Sequence, residues 1–218
     1  MNKNTIAILI FCLLCFILKG FSQAQVIKPD LSASSHFKVV NRAISISSDK
    51  PEKVVVHLDA KAGDGIAWIN DIQFGKGIIE FDAKGKNVLQ QSFLGIAFHG
   101  INDSTFDVVY FRPFNFQSPD TTRKRHSVQY VSLPQYDWSV LRERFAGKYE
   151  NNLISTVDPE SWFHVKIIVD TNITVYVNND QQASLSVKPI SERTTGTIGF
   201  WVGNNSDGGF ANLLVRQQ

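Results

Sequence analysis

The chain is built from short runs of β-branched and aromatic residues, each closed off by Gly, Asn or Asp. Gly77-Ile78-Ile79-Glu80-Phe81-Asp82, Trp162 to Asp170, Ile173 to Val177 and Gly199-Phe200-Trp201-Val202-Gly203 are the clearest. Such residues suit a pleated, half-buried surface, and their bounding residues suit tight turns, so the runs read as strands of an antiparallel sandwich. Phe37 to Ser47, Val54 to Leu58, Ile66 to Ile69, Phe93 to Phe98, Val108 to Phe111, Val128 to Val131, Ala183 to Val187, Ile198 to Val202 and Phe210 to Val215 extend the series. Turns such as Lys84-Gly85-Lys86-Asn87, Gly100-Ile101-Asn102-Asp103 and Asn178-Asn179-Asp180 separate them. Regular spacing of this kind predicts an all-β sandwich or barrel.

The rhythm breaks between Leu133 and Ser161. There Trp138, Leu141 and Phe145 fall at i, i+3 and i+7, with Asp137 placed to cap the start and Gly147 to end the turn. One short helical insertion around 138–147 is expected, lying across an edge or mouth of the sandwich.

At the N-terminus, Lys3 precedes an apolar run from Ile6 to Leu18, and Gly20 to Ala24 supplies small residues of the kind a signal peptidase reads. The run is shorter than the roughly 20 residues that span a bilayer, so residues 1–24 are expected to be a signal peptide and the protein exported, periplasmic or secreted. Cleavage removes both cysteines, Cys12 and Cys15, and leaves 20 basic against 20 acidic side chains in residues 25–218. Without disulfides the core must hold the fold. Residues 25–218 show no repeat or linker and read as a single domain. Its neutrality argues against a nucleic-acid partner, and nothing after the leader calls for a membrane.

The last third carries Trp162-Phe163-His164-Val165-Lys166-Ile167, Val175-Tyr176-Val177-Asn178, Gly196-Thr197-Ile198-Gly199-Phe200-Trp201 and Phe210-Ala211-Asn212-Leu213. This pattern resembles the concanavalin A-like lectin and glucanase superfamily, which includes laminin G-like modules; the resemblance implies a two-sheet jelly roll. Phe74 to Phe81, Phe93 to His99 and Tyr110-Phe111-Arg112-Pro113-Phe114-Asn115 are most similar to bacterial secreted domains grouped with the 3-keto-disaccharide hydrolases. The likeness covers roughly residues 36 to 217 and implies a carbohydrate partner. Laminarinase-like members place catalytic acids in a Glu-x-Asp-x-x-Glu strand; here Glu80-Phe81-Asp82 runs into Ala83-Lys84-Gly85, so the last acid is missing and that activity is not expected.

Candidate site residues follow from strand alternation. Tyr110 and Arg112 share one face, while Val109 and Phe111 take the other. His99 and either Gln129 or Tyr130 belong to neighbouring strands, so a ring, a guanidinium and a proton acceptor are expected together on a sheet face. The alternative is that Arg112 pairs with an acid such as Glu80 or Asp107 while His99 is a hydrogen-bonded strand residue. Glu80 and Asp82 lie about 6.6 Å apart along their strand, a spacing that fits a glycosidase carboxylate pair and equally a solvated outer face.

Trp162 and Trp201 sit among apolar neighbours and are expected in the core. Trp138 is a candidate rim contact for a sugar, and His126, ending the Arg123-Lys124-Arg125 run, is within reach of the Arg112 face. His-x-His and cysteine spacing for a metal is lacking, and no cofactor is expected; Asn204, Asn205 and Asp207 form the kind of turn that can hold structural calcium. The expectation is an exported carbohydrate-binding or glycan-processing domain with a groove on its concave sheet. Tyr110, Arg112, Gln129, Tyr130, Trp138 and His126 would bind sugar, and His99 or Glu80 would transfer protons in an enzyme. A hydrolase of 3-keto-glycosides or other disaccharides and an adhesive module that contacts protein are the alternatives.

Overall fold

The computed structural model describes residues 25–50 and 53–218; the leader expected over 1–24 lies outside them. In chain order the strands are β1 (Gln25–Ile27), β2 (Phe37–Val40), β3 (Ile44–Lys50), β4 (Lys53–Leu58), β5 (Gly65–Phe74), β6 (Gly77–Lys84), β7 (Leu94–Asn102) and β8 (Thr105–Phe111). They continue as β9 (Val128–Leu133), β10 (Glu150–Asn151), β11 (Phe163–Val169), β12 (Ile173–Val177), β13 (Leu185–Val187), β14 (Gly196–Val202) and β15 (Gly208–Gln217). The first sheet has the order β13-β12-β11-β6-β15-β4-β3, with β1 added on β15; the second runs β10-β9-β8-β7-β14-β5-β2. All pairings are antiparallel, and the all-β two-sheet expectation holds.

The sheets close on a dry interior in which Phe200 of β14 stacks on Phe210 of β15, ring centroids 4.5 Å apart, and Phe111 of β8 meets Phe163 of β11 edge-on. Alternation is clean in the first sheet: Ile79, Phe81 and Ala83 are fully buried while Glu80 and Asp82 face outward. The second sheet differs, because Phe106 to Phe111 of β8 and Val128 to Ser132 of β9 are buried without a break. A continuous buried run means that both faces are covered. One face meets the first sheet, and the other is roofed by the segments around it.

Three short helices contribute to that roof. α1 (Pro113–Phe116) starts on a proline, α2 (Thr121–Lys124) is capped by the Asp120 carboxylate, and α3 (Trp138–Arg144) is capped by Asp137. Sequence periodicity pointed to α3 alone, since a four-residue turn leaves no periodic signature; α3 also stops at Arg144, with Phe145 as its C-cap, short of Gly147. Leu141 anchors α3 with 1% of its surface exposed, and Trp138 is left 52% exposed.

Candidate functional site

Register fixes what the roofed face carries. Tyr110 of β8 lies opposite Gln129 of β9 and Gly95 of β7, and Gly95 lies opposite Trp201 of β14. Gln129 in turn faces Glu150 of β10. Tyr110, Gln129, Trp201 and Glu150 therefore share one face, with Arg112 just past the end of β8. Over this floor lies a cavity of about 730 Å³, walled by Phe93, Phe114, Asn115 and Val131 and rimmed by Leu89 and Trp138.

The floor is tightly wired. Tyr110 Oη donates to Gln129 Oε1 over 2.8 Å, and Arg112 Nη2 donates to both Tyr110 Oη and Gln129 Oε1 at 2.5 Å. Arg112 Nη1 donates to the His126 carbonyl over 2.8 Å and lies 3.8 Å from Glu150 Oε2. Arg142 of α3 grips the same carboxylate through Nε (3.1 Å) and Nη2 (2.9 Å). His126 Nδ1 approaches Glu150 Oε2 to 2.7 Å, off the line of a regular hydrogen bond. Burial raises the Tyr110 phenol and lowers the Arg112 guanidinium from their ordinary values; for Arg112 the adjoining Arg142 charge acts in the same sense.

Several polar atoms on this floor have no protein partner. With Gln129 Oε1 committed to two donors, its Nε2 faces none; Trp201 Nε1 and Asn115 Oδ1 are equally unmatched. Their residues are 0%, 5% and 3% exposed. Trp201 and Asn115 line the cavity itself, whereas Gln129 lies behind its wall, bonded to Tyr110 and Arg112. Asp64 adds a carboxyl on the rim. It remains open to solvent, yet the protein around it raises its pKa against the pull of Arg42.

Of the expected site residues, Tyr110, Arg112, His126 and Trp138 line this one cavity, and Gln129 lies fully buried behind it, bonded to Tyr110 and Arg112. His99 and Tyr130 go elsewhere. Strict alternation through Gly95 and Ala97 would put His99 beside Tyr110, but β7 shifts register between Phe98 and Asn102, and His99 takes the left-handed region (φ 52°). That bulge turns its ring inward, where Nδ1 lies 3.0 Å from Asp107 Oδ2 and Nε2 3.0 Å from the Gly75 carbonyl. Tyr130 Oη donates to the same Asp107 over 3.0 Å. Arg193 and Ser191 also bond this carboxylate; burial opposes its ionisation, and the bonds from His99 and Arg193 outweigh burial and lower it.

Glu80 belongs to the other sheet. It pairs with Arg216 and lies 3.8 Å from His164, while Asp82 bonds His164 (2.9 Å) and Asn212 (2.7 Å). These acids form an ion-paired outer face, and the proton-transfer roles expected for His99 and Glu80 have no geometry in the groove. Trp201 is buried as expected but on the groove face, and Trp162 is half-buried beneath Lys53, 3.9 Å from its ring centroid.

The Asn204 to Asp207 turn does not fit a cation. Asn204 Oδ1 accepts from the Gly63 amide over 2.8 Å, and Asp207 is held by Lys86 at 2.8 Å and by His57 at 3.9 Å. The neighbouring His57 imidazole first, with Lys86 assisting, lowers the Asp207 carboxyl to about 2 despite partial burial. Among the described residues no group of three or more His, Cys, Asp or Glu side chains is placed to hold a metal, and no helix is long and apolar enough to cross a membrane.

Arg142, Asn115, Trp201 and Asp64 line the groove, with Glu150 behind them, and sequence reasoning assigned none of the five to it. Glu150 had no signal to offer, since its strand is two residues long.

No family model matches the sequence, and no curated protein matches it. Among solved structures the chain is similar to the carbohydrate binding module CBM66 from Bacillus subtilis, at 12% identity over 84% of this chain and 92% of that one, with a TM-score of 0.54. A Bacillus subtilis protein of unknown function with a galectin-like fold matches at 13% identity over 89% and 98% of the two chains, TM-score 0.57. The Bacillus licheniformis beta-glucanase matches at 12% over 91% and 99%, TM-score 0.53. At this identity the likeness is one of architecture, and the architecture is a two-sheet antiparallel jelly roll.

Proposed function

We propose that this protein is an exported domain that binds carbohydrate in the groove on its second sheet. The observation that carries the reading is the lining of the groove, where Tyr110, Arg112, Asn115 and His126 set donors and acceptors beside the rings of Trp138 and Trp201. A saccharide presents hydroxyls that both donate and accept, so one ring can answer donors and acceptors together. Trp138 and Leu89, 52% and 54% exposed, add an apolar rim for the C–H face of a sugar. The solved neighbours that include a carbohydrate binding module support the same reading. The apolar run of residues 6–18 supports export, which N-terminal sequencing of protein recovered outside the cytoplasm would test.

A glycan array followed by titration calorimetry tests binding. Trp201→Phe shortens the aromatic floor and removes the indole N–H, and is expected to weaken retention of whatever glycan the wild-type protein holds. Retention of no glycan on a broad array would end the binding proposal.

A hydrolytic reading has one supporting feature. Asp64 faces the groove with a raised carboxyl, the property of a general acid, and the resemblance to 3-keto-disaccharide hydrolases names a substrate class. Incubation with 3-oxidised and unoxidised disaccharides, followed by mass spectrometry, should then give product that Asp64→Asn abolishes. Product from neither substrate leaves a binding module without hydrolytic activity.

A further inference from the structure

We propose that the saccharide held in this groove is anionic, bearing a carboxylate or a sulfate, and that its charge is received where Arg112, Arg123, Arg142 and His126 line the cavity; this rests on the reading of the groove as a saccharide site.

The basis is a cluster of guanidinium groups whose pairing with acids is incomplete. Among the described residues Glu150 is the one carboxylate that these basic groups contact, and Arg142 already holds it through two nitrogens, at 3.1 Å and 2.9 Å. His126 crowds the same oxygen at 2.7 Å, and Arg112 stands off at 3.8 Å. Arg112 is only 4% exposed, and its hydrogen bonds go to neutral oxygens of Tyr110, Gln129 and the His126 backbone. A buried guanidinium that shares a carboxylate with a second guanidinium is under-compensated.

The two other acids of the groove, Asp64 and Asp137, do not pair with these guanidinium groups. Asp137 Oδ1 caps α3, accepting from the Val140 amide and the Ser139 hydroxyl. Asp64 lies in the field of Arg42. Arg123, half-buried on the wall, has no acidic partner among the described residues. The formal charge of the whole chain is only +2, so any preference for an anion must come from this local cluster.

Three disaccharides of identical linkage, one neutral, one oxidised to a carboxylate at C6 and one sulfated at O6, provide the test by calorimetry at low and high salt. At low salt at least one anionic member is expected to bind about tenfold tighter than the neutral one. Which anionic member gains identifies the source of the charge. The preference should shrink at high salt and in Arg123→Gln, a wall substitution whose folding is checked by its melting temperature. Equal binding of all three, or an anionic preference that Arg123→Gln leaves untouched, overturns the anionic assignment while the groove remains a saccharide site. Binding of none of the three, together with an empty glycan array, overturns the saccharide reading itself.

Discussion

Arg112 and Arg142 share a single carboxylate. Glu150 gives both oxygens to Arg142 and leaves Arg112 Nη1 at 3.8 Å, although Arg112 is the more deeply buried of the two. Glu150 is thus the pin between helix α3 and the floor of the groove. Glu150→Gln is expected to cost about 3 kcal/mol, because it strands buried positive charge without a counter-ion. Urea unfolding measures the loss. A change within about 0.5 kcal/mol, the size usual for a surface substitution, would show that solvent already screens the cluster.

Trp138 separates binding from folding. Its side chain is half exposed, beside Arg142, whose guanidinium carbon lies 5.2 Å from the ring centroid, so it stabilises the fold little. Trp138→Ala is expected to shift stability by less than about 1 kcal/mol and to weaken glycan affinity about three- to tenfold, the worth of one aromatic stacking contact. Unfolding and titration on the same preparation check both. A stability loss as large as that of a core aromatic would move Trp138 into the structural frame.

What could be read from the sequence follows from where strand periodicity applies. Ile79 and Phe81 against Glu80 and Asp82 have a period of two, so the first sheet's inner and outer faces were legible. Tyr110 and Arg112 were correctly placed on one face by the same rule. That this face is roofed is not legible, since the roof comes from α1, α2 and α3, of which only α3 is long enough to show a period. His99 was misplaced because alternation assumes an unbroken ladder, and the bulge after Phe98 turns the ring to the opposite side of the sheet. Glu150, which organises the basic cluster, lies where the strand rhythm is interrupted, and its partners are brought to it only by the fold.

Gly95 keeps the floor of the groove flat. A Cβ at this position would run into the Val109 carbonyl oxygen and lie 2.6 Å from Tyr110 Cα and 2.9 Å from its Cβ. Gly95→Ala is therefore expected to destabilise the protein by about 1–3 kcal/mol, the usual cost of overpacking. Because Tyr110 would have to move, glycan affinity should fall as well. Thermal unfolding and calorimetry read the two effects, and unchanged values in both would mean that β7 and β8 can separate without strain.

The outer face of the first sheet should carry a pH dependence of its own. His164 Nδ1 lies 2.9 Å from Asp82, and that hydrogen bond raises the imidazole above its ordinary value, with the charges of Asp82 and Glu80 adding to it against partial burial. Asp82 moves the other way: burial alone would raise it, but its bonds with His164 and Asn212 and the charge of Lys53 lower it overall. A raised imidazole gives stability that is complete below its unfolded value of about 6.5 and is lost as pH climbs through the folded value. A lowered carboxyl gives stability present above its unfolded value of about 3.9 and lost as pH falls through the folded one. The pair therefore acts across the mildly acidic range and fades on the alkaline side. His164→Gln is expected to lower stability by up to about 1 kcal/mol near pH 5.5 and by much less near pH 9, as suits a partly exposed pair. Urea unfolding at both pH values measures the difference. An equal loss at the two would mean that His164 contributes packing and hydrogen bonding alone, without the charge that Asp82 stabilises.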